Sequence, residues 1–274
     1  MEIKEVLYKT QFRFKKNLGQ NFITDVNLLD AIVADAGVEE GDTVVEIGTG
    51  AGTLTAALAK KAKRVITFDV DEDLKEVLKE TLPQENVEIH FMDVLKMSDG
   101  KLKELIQEPF KLVANLPYYV TTPMLMRFLE SDLPVRSLTL MVQKEVADRL
   151  TAKPNTEEYG AITLQVKLRG DARLTRTVSK RLFYPVPKVD SAVVRIDVSP
   201  KYDMERTKAI SRAVKAGFQM RRKTLVNNLV QSYGLSRENA VSVVEKAGLP
   251  TDVRGERLSL EDYCRLTETL ESLV

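Results

Sequence analysis

The chain has 274 residues, 43% of them hydrophobic and 30% charged, enough to bury one large domain core and a smaller second one. Its net charge of +1 divides unevenly, with +3 over residues 1–20, −9 over 21–143, +10 over 144–223 and −3 over 224–274; that suits a catalytic unit beside a polyanion-binding surface, or simply a solvated cationic face. A single cysteine, Cys264, and a single histidine, His90, exclude an internal disulfide and argue against a Cys/His zinc site or any other metal centre.

Glu2, Lys4 and Glu5 stand where a secretory leader would be apolar, and no run is long enough to cross a bilayer, so a cytoplasmic protein is expected. Short β-rich runs follow at Thr43–Ile47, Arg64–Phe68, Val87–Phe91, Lys111–Ala114 and Ser137–Val142. Between them Thr53–Ala62, Asp73–Leu82, Lys101–Gln107 and Met124–Glu130 have helical length and composition. The alternation predicts an α/β fold of Rossmann type with a mainly parallel sheet. A helix over Ala161–Leu168 and two strands, Ala172–Val178 and Ala192–Val198, could extend that sheet as an antiparallel pair. Helices near Met204–Phe218, Lys223–Ser232, Arg237–Ala247 and Ser259–Leu270 then predict a small all-α C-terminal domain. The boundary is placed near Pro200–Asp203, giving domains 1–200 and 201–274.

Three features follow the C-terminal ends of strands, where open α/β sheets bind ligands. Glu46-Ile47-Gly48-Thr49-Gly50-Ala51-Gly52 is a tight turn whose small residues let backbone approach a ligand; Thr53 occupies the sixth position of the dinucleotide fingerprint, which disfavours a dehydrogenase. Asp69 is placed to accept hydrogen bonds from ribose hydroxyls, or serves as a helix N-cap. Asp93, within Met92-Asp93-Val94-Leu95, could bind an adenine amino group while its apolar neighbours sandwich the ring. After the fourth strand comes Asn115-Leu116-Pro117-Tyr118, which by composition alone reads first as a proline turn with a buried tyrosine.

N-L-P-Y after strand four, with G-x-G-x-G after strand one, resembles the adenine-N6 methyltransferases. Asn17-Leu18-Gly19-Gln20-Asn21-Phe22, Phe183-Tyr184-Pro185-Val186-Pro187-Lys188-Val189-Asp190-Ser191, Arg221-Arg222-Lys223-Thr224-Leu225 and Asn227-Asn228-Leu229 extend the resemblance over nearly the whole chain to the KsgA-type ribosomal RNA adenine dimethyltransferases. It departs at Asp69, where the family usually has Glu, and at Thr49, where it usually has Pro; the second exchange is expected only to soften the turn. Relatives that methylate large-subunit RNA and confer macrolide resistance typically read N-I-P and lack R-R-K-T-L, so the chain sides with the small-subunit group. Other relatives act as mitochondrial transcription factors, which leaves a ribosome-assembly or transcription binding factor as the rival class.

The resemblance implies a class I methyltransferase that takes S-adenosyl-L-methionine. Asn21, Ile23, Gly48, Asp69, Asp93 and Asn115 would contact the donor, with Gly50 and Gly52 completing the turn. Its target would be two adjacent adenosines near the 3′ end of small-subunit ribosomal RNA, each dimethylated, within an immature 30S particle. The adenine amine is a poor nucleophile because its lone pair is delocalised. The expected catalytic groups are therefore acceptors for its hydrogens, the Asn115 side-chain carbonyl and a backbone carbonyl of Leu116 or Pro117, with Tyr118 and Phe183 as aromatic platforms. Arg13, Lys15, Lys16, Arg221, Arg222 and Lys223 are expected to contact RNA phosphates. A monomer is expected.

Overall fold

The structure is a computed structural model that describes residues 3–15 and 18–272. Lys16, expected to contact phosphate, and Asn17, first residue of a family motif, lie outside the described residues. Helix α1 (Ile3–Lys9) leads to the two-residue strand β1 (Phe22–Ile23) and helix α2 (Val26–Asp35), whose first turn is capped by the Asp25 carboxylate accepting the Leu28 N–H. Strands and helices then alternate: β2 (Thr43–Ile47), α3 (Thr53–Ala59), β3 (Arg64–Asp69), α4 (Lys75–Thr81), β4 (Val87–Phe91), α5 (Asp99–Ile106), β5 (Phe110–Asn115), α6 (Thr121–Leu129) and β6 (Val135–Gln143). Helices α7 (Lys144–Leu150) and α8 (Ala161–Arg169) precede β7 (Gly170–Val178), β8 (Phe183–Tyr184) and β9 (Ser191–Val198).

Seven strands form one sheet in the order β4-β3-β2-β5-β6-β9-β7. The first five are parallel and β9 is antiparallel to β6, with Leu140 opposite Val194. All five residues of β2 are buried, which is why Thr43–Ile47 reads as a continuous run and not as an alternating one. From β2 the chain builds outward through β3 to β4, then returns to place β5 on the other side of β2. That reversal opens a crevice at the carboxyl ends of β2 and β5, the switch point where such sheets bind ligands.

The chain clusters into two compact units, Met1–Ala147 with Arg173–Val198 and Asp148–Ala172 with Ser199–Val274. Residues 148–172 thus join the helical unit and not the sheet unit, unlike the expected single boundary near 200. The physical reason is burial: Tyr159, Leu164 and Leu168 share one apolar core with Ile210, Val214, Leu229 and Tyr263. The helices that supply the rest of that core are α9 (Met204–Gly217), α10 (Leu225–Tyr233), α11 (Arg237–Lys246) and α12 (Leu260–Glu271). Each starts on a side-chain cap, from Asp203, Thr224, Ser236 and Ser259 in turn.

Candidate functional site

A cavity of about 670 Å³ opens at the carboxyl ends of β2, β3, β4 and β5, within the size range of cofactor and small-molecule sites. Asn21, Ile23, Gly48, Gly50, Asp69, Asp93, Asn115, Leu116, Pro117, Tyr118 and Phe183 all line it. Gly52 does not: it caps α3 at φ 79°, and a Cβ there would stand 2.9 Å from Leu82 Cγ and Thr81 Oγ1. Its lack of a side chain serves helix packing.

The turn after β2 is held from both sides. Gly48 N–H donates to the Phe68 carbonyl at 2.8 Å, and Gly50 N–H donates to Asp69 Oδ2 at 2.9 Å. Gly50 has φ 53°, and a Cβ there would meet the Phe22 ring at 3.0 Å, so the residue must be small on both counts. Asp69 Oδ1 accepts the Asp71 N–H at 2.9 Å. Burial pushes the Asp69 carboxyl above its ordinary range, with these N–H donors working against the shift. Each carboxylate oxygen can accept more than one hydrogen bond, so both keep capacity for a diol.

Asp93 caps the short turn after β4 by accepting the Leu95 N–H at 3.1 Å. Around it Val70, Met92 and Leu95 are exposed at 53%, 41% and 37%, three large apolar side chains on the lining of one cavity. Such a group beside a carboxylate suits a flat heteroaromatic ring with an amino edge, which would cover apolar surface that otherwise faces water. Val70 was not anticipated from sequence.

Two distant motifs meet here. β1 pairs antiparallel with β8, Phe22 opposite Tyr184 and Ile23 opposite Phe183, which carries the Asn21 loop over the cavity. Asn115 Nδ2 donates to the Asn21 carbonyl at 3.2 Å. Because a carbonyl can only accept, this bond fixes the amide orientation and leaves Asn115 Oδ1 as the atom available to a ligand. The Pro117 carbonyl already receives the Val120 N–H at 3.1 Å. Tyr118 is half-buried, with its hydroxyl 2.9 Å from Ser191 Oγ, and Phe183 is only 3% exposed.

Below the turn lies a buried network that was not foreseen. Glu46 Oε2 accepts from Thr55 Oγ1 at 2.6 Å and from Thr67 Oγ1 at 2.8 Å, and the Thr49 hydroxyl reaches Thr67 Oγ1 at 2.7 Å. The Thr67 hydroxyl hydrogen is committed to the hydrogen bond to Glu46, so Thr49 is the donor to Thr67. Thr49 therefore tethers the turn instead of softening it. Its only sequence signal is the exchange of the family's usual proline for a residue with a hydroxyl.

Lys15, expected on phosphate, instead binds Asp71 at 2.5 Å and Asp73 at 2.6 Å, which hold its ammonium above the usual lysine range. Gln20 Nε2 donates to the same buried Asp71 at 2.6 Å. The pair fastens the Asn21 loop to the segment after β3. Arg13 is exposed. In the helical unit Arg221, Arg222 and Lys223 are exposed on a turn pinned by the buried Asn228, whose Nδ2 donates to the Gly217 carbonyl at 2.7 Å and whose Oδ1 accepts the Met220 N–H at 3.1 Å.

A mainly parallel sheet with β9 antiparallel to it, a G-x-G-x-G turn and carboxylates beyond successive strand ends define a class I methyltransferase. Solved structures agree. A dimethyladenosine transferase from Plasmodium falciparum superposes at a TM-score of 0.74 with 25% identity, over 89% of this chain and 95% of that one. The 23S rRNA methyltransferase ErmE gives 0.68 with 25% identity, over 91% and 99%. Residues 11–272 match the ribosomal RNA adenine dimethylase family, and the chain belongs to it. A ribosomal RNA small subunit methyltransferase A of Bacillus licheniformis is 43% identical over 284 residues, 99% of this chain and 96% of its own length. One from Clostridioides difficile is 40% identical over 279 residues, again covering 99% and 96%.

Proposed function

We propose that the protein transfers methyl groups from S-adenosyl-L-methionine to the N6 amines of two adjacent adenosines near the 3′ end of small-subunit (16S) ribosomal RNA, giving N6,N6-dimethyladenosine, within an immature 30S particle. It would act as a cytoplasmic monomer without a metal, and its binding would link methylation to small-subunit biogenesis. The observation that carries the reading is the Asn115 amide, turned by the Asn21 carbonyl so that its acceptor oxygen is left for a ligand in the cavity.

Asp69 would hold the donor's ribose hydroxyls, Asp93 its adenine amino group, with Val70, Met92 and Leu95 against the ring, and the Gly48–Gly50 backbone would lie close to it. When bound, the donor supplies a sulfonium-activated methyl group. The protein's task is to localise the lone pair of the target amine. Asn115 Oδ1 accepts one amine hydrogen and a backbone carbonyl the other, favouring a tetrahedral nitrogen. Pro117 O is engaged by Val120, which makes the Leu116 carbonyl the better second acceptor. Tyr118, anchored through Ser191, offers a ring face to the extruded adenine, and Phe183 closes the apolar wall. Arg13, Arg221, Arg222 and Lys223 would meet RNA phosphates; Lys15 serves the loop instead.

The test is transfer of labelled methyl to undermethylated small subunits, with large subunits and Asn115→Ala in parallel, followed by nucleoside analysis. Dimethyladenosine confined to small-subunit RNA, falling on the order of a hundredfold or more in the variant, is the expected result. Label in large-subunit RNA would move the activity to the resistance-type group. No label in either would favour the binding-factor class.

A further inference from the structure

We propose that Tyr119 is a second stacking platform, at the rim of the cavity, for the nucleobase that flanks the extruded adenine; the inference rests on the RNA-adenine reading above. Among the described aromatic residues that line the cavity, Tyr119 alone is exposed, at 61%, whereas Phe183 is 3% exposed and Tyr118 is tied by its hydroxyl to Ser191. Gly19 faces one side of the ring without crowding it: a Cβ there would sit 3.6 Å from Tyr119 Cε1 and 3.8 Å from Cδ1, and glycine leaves that space free. Tyr119 also lies in the short 3-10 turn Tyr118–Val120 that follows directly on the Asn115-Leu116-Pro117 acceptors. A large apolar face is thus left in water at the rim of the site, four residues from the amide assigned to the target amine.

Moving a base out of its stack strips one face from each neighbour as well as both faces from the base itself. The cavity answers only the extruded base. An aromatic ring at the rim answers a neighbour, and because every base has a π-face it does so without reading sequence. Tyr119 would therefore lower the free energy of the extruded state. It would appear in RNA recognition and not in donor affinity.

The experiment compares Tyr119→Phe, Tyr119→Trp, Tyr119→Leu and Tyr119→Ala in steady-state methyl transfer to undermethylated small subunits, with donor affinity measured by calorimetry. Leu keeps apolar bulk over Gly19 while removing the π-face. The expected result is a kcat/KM for RNA lowered on the order of tenfold in the Leu and Ala variants, the loss of about one base–aromatic stack, restored by Phe and Trp, with donor affinity equal in all. Three results overturn the proposal: Leu performing as well as Phe, all four variants matching the wild type, or donor affinity falling in step with RNA activity. No transfer by the wild-type protein removes the functional reading and the inference with it.

Discussion

Glu46 shows how much a single buried side chain can couple to solution conditions. It is fully buried in β2, and burial, reinforced by the nearby Asp69 charge, pushes its carboxyl up to about 8 despite the two threonine hydroxyls on Oε2. Among the described residues, Oε1 has no hydrogen-bond partner. In the folded protein the neutral acid therefore persists well above the ordinary value near 4.5 at which the unfolded chain releases its proton. Between those two values the native state binds more protons than the unfolded one, so this group's contribution to stability is complete below about 4.5 and is lost as pH rises toward 8. Glu46→Gln keeps an oxygen acceptor for Thr55 and Thr67 but cannot titrate. Denaturant unfolding at several pH values from 5 to 8 should show the wild type losing stability relative to this variant by up to about 1.4 kcal/mol per pH unit. A difference that stays constant with pH would mean that Glu46 is ionised throughout.

At the scale of elements, Gly52 joins the ligand turn to the packing of α3 against the end of α4. Gly52→Ala puts a side chain at φ 79° and a Cβ 2.9 Å from Leu82 Cγ, costing about 1–2 kcal/mol for the backbone alone, and more because Leu82 must move. A lowered melting temperature is the expected outcome, with Gly41→Ala, which meets nothing within 4 Å, as the neutral control. Equal melting of the two variants would show that α4 yields freely. Most elements whose information is local were legible in the sequence. The five parallel strands are compact runs rich in apolar residues, and α9 to α12 carry caps and stop signals. Helix α1 was missed because seven residues with only Val6 and Leu7 buried cannot display a period. Strands β1 and β8 are two residues each and are specified by a partner about 160 positions away, which no local pattern announces. Helix α2 was also missed, although its signal is local: Asp25 as cap and Leu28, Leu29, Ile32 and Val33 as its buried stripe. In the site, strand-end carboxylates and the Asn115 loop were legible by position, but the partners that orient them, Asn21 O, Asp71 and Thr49, come from other loops and emerge only on folding.

Across the whole molecule, net charge by segment overstated the surface available to a polyanion. Part of the +10 over residues 144–223 is met by carboxylates from outside that segment, Asp35 on Arg176 and Glu268 and Glu271 on Arg206, while Arg173 and Arg195 share Asp197 within it. The turn that carries Arg221, Arg222 and Lys223 differs. Arg221 approaches Glu256 only at 3.8 Å, and among the described residues Arg222 and Lys223 have no acidic partner. Asn228 holds this turn by its backbone, so charge reversal at all three positions changes its field and breaks the Arg221 hydrogen bond to the Glu157 carbonyl at 3.2 Å while leaving the Asn228 support in place. A cation that neutralises a phosphate releases counterions, and removing one such ion pair should reduce the salt dependence of binding by about 0.7–0.9 in log–log slope. Small-subunit affinity measured against potassium chloride should therefore fall in the triple variant, most strongly at low salt, with a slope shallower by roughly two to three. Donor affinity should be unaffected, because none of the residues lining the cavity belongs to the unit that carries the turn. An unchanged slope would reduce the turn to a solvated cationic face, and a parallel loss of donor binding would point to misfolding.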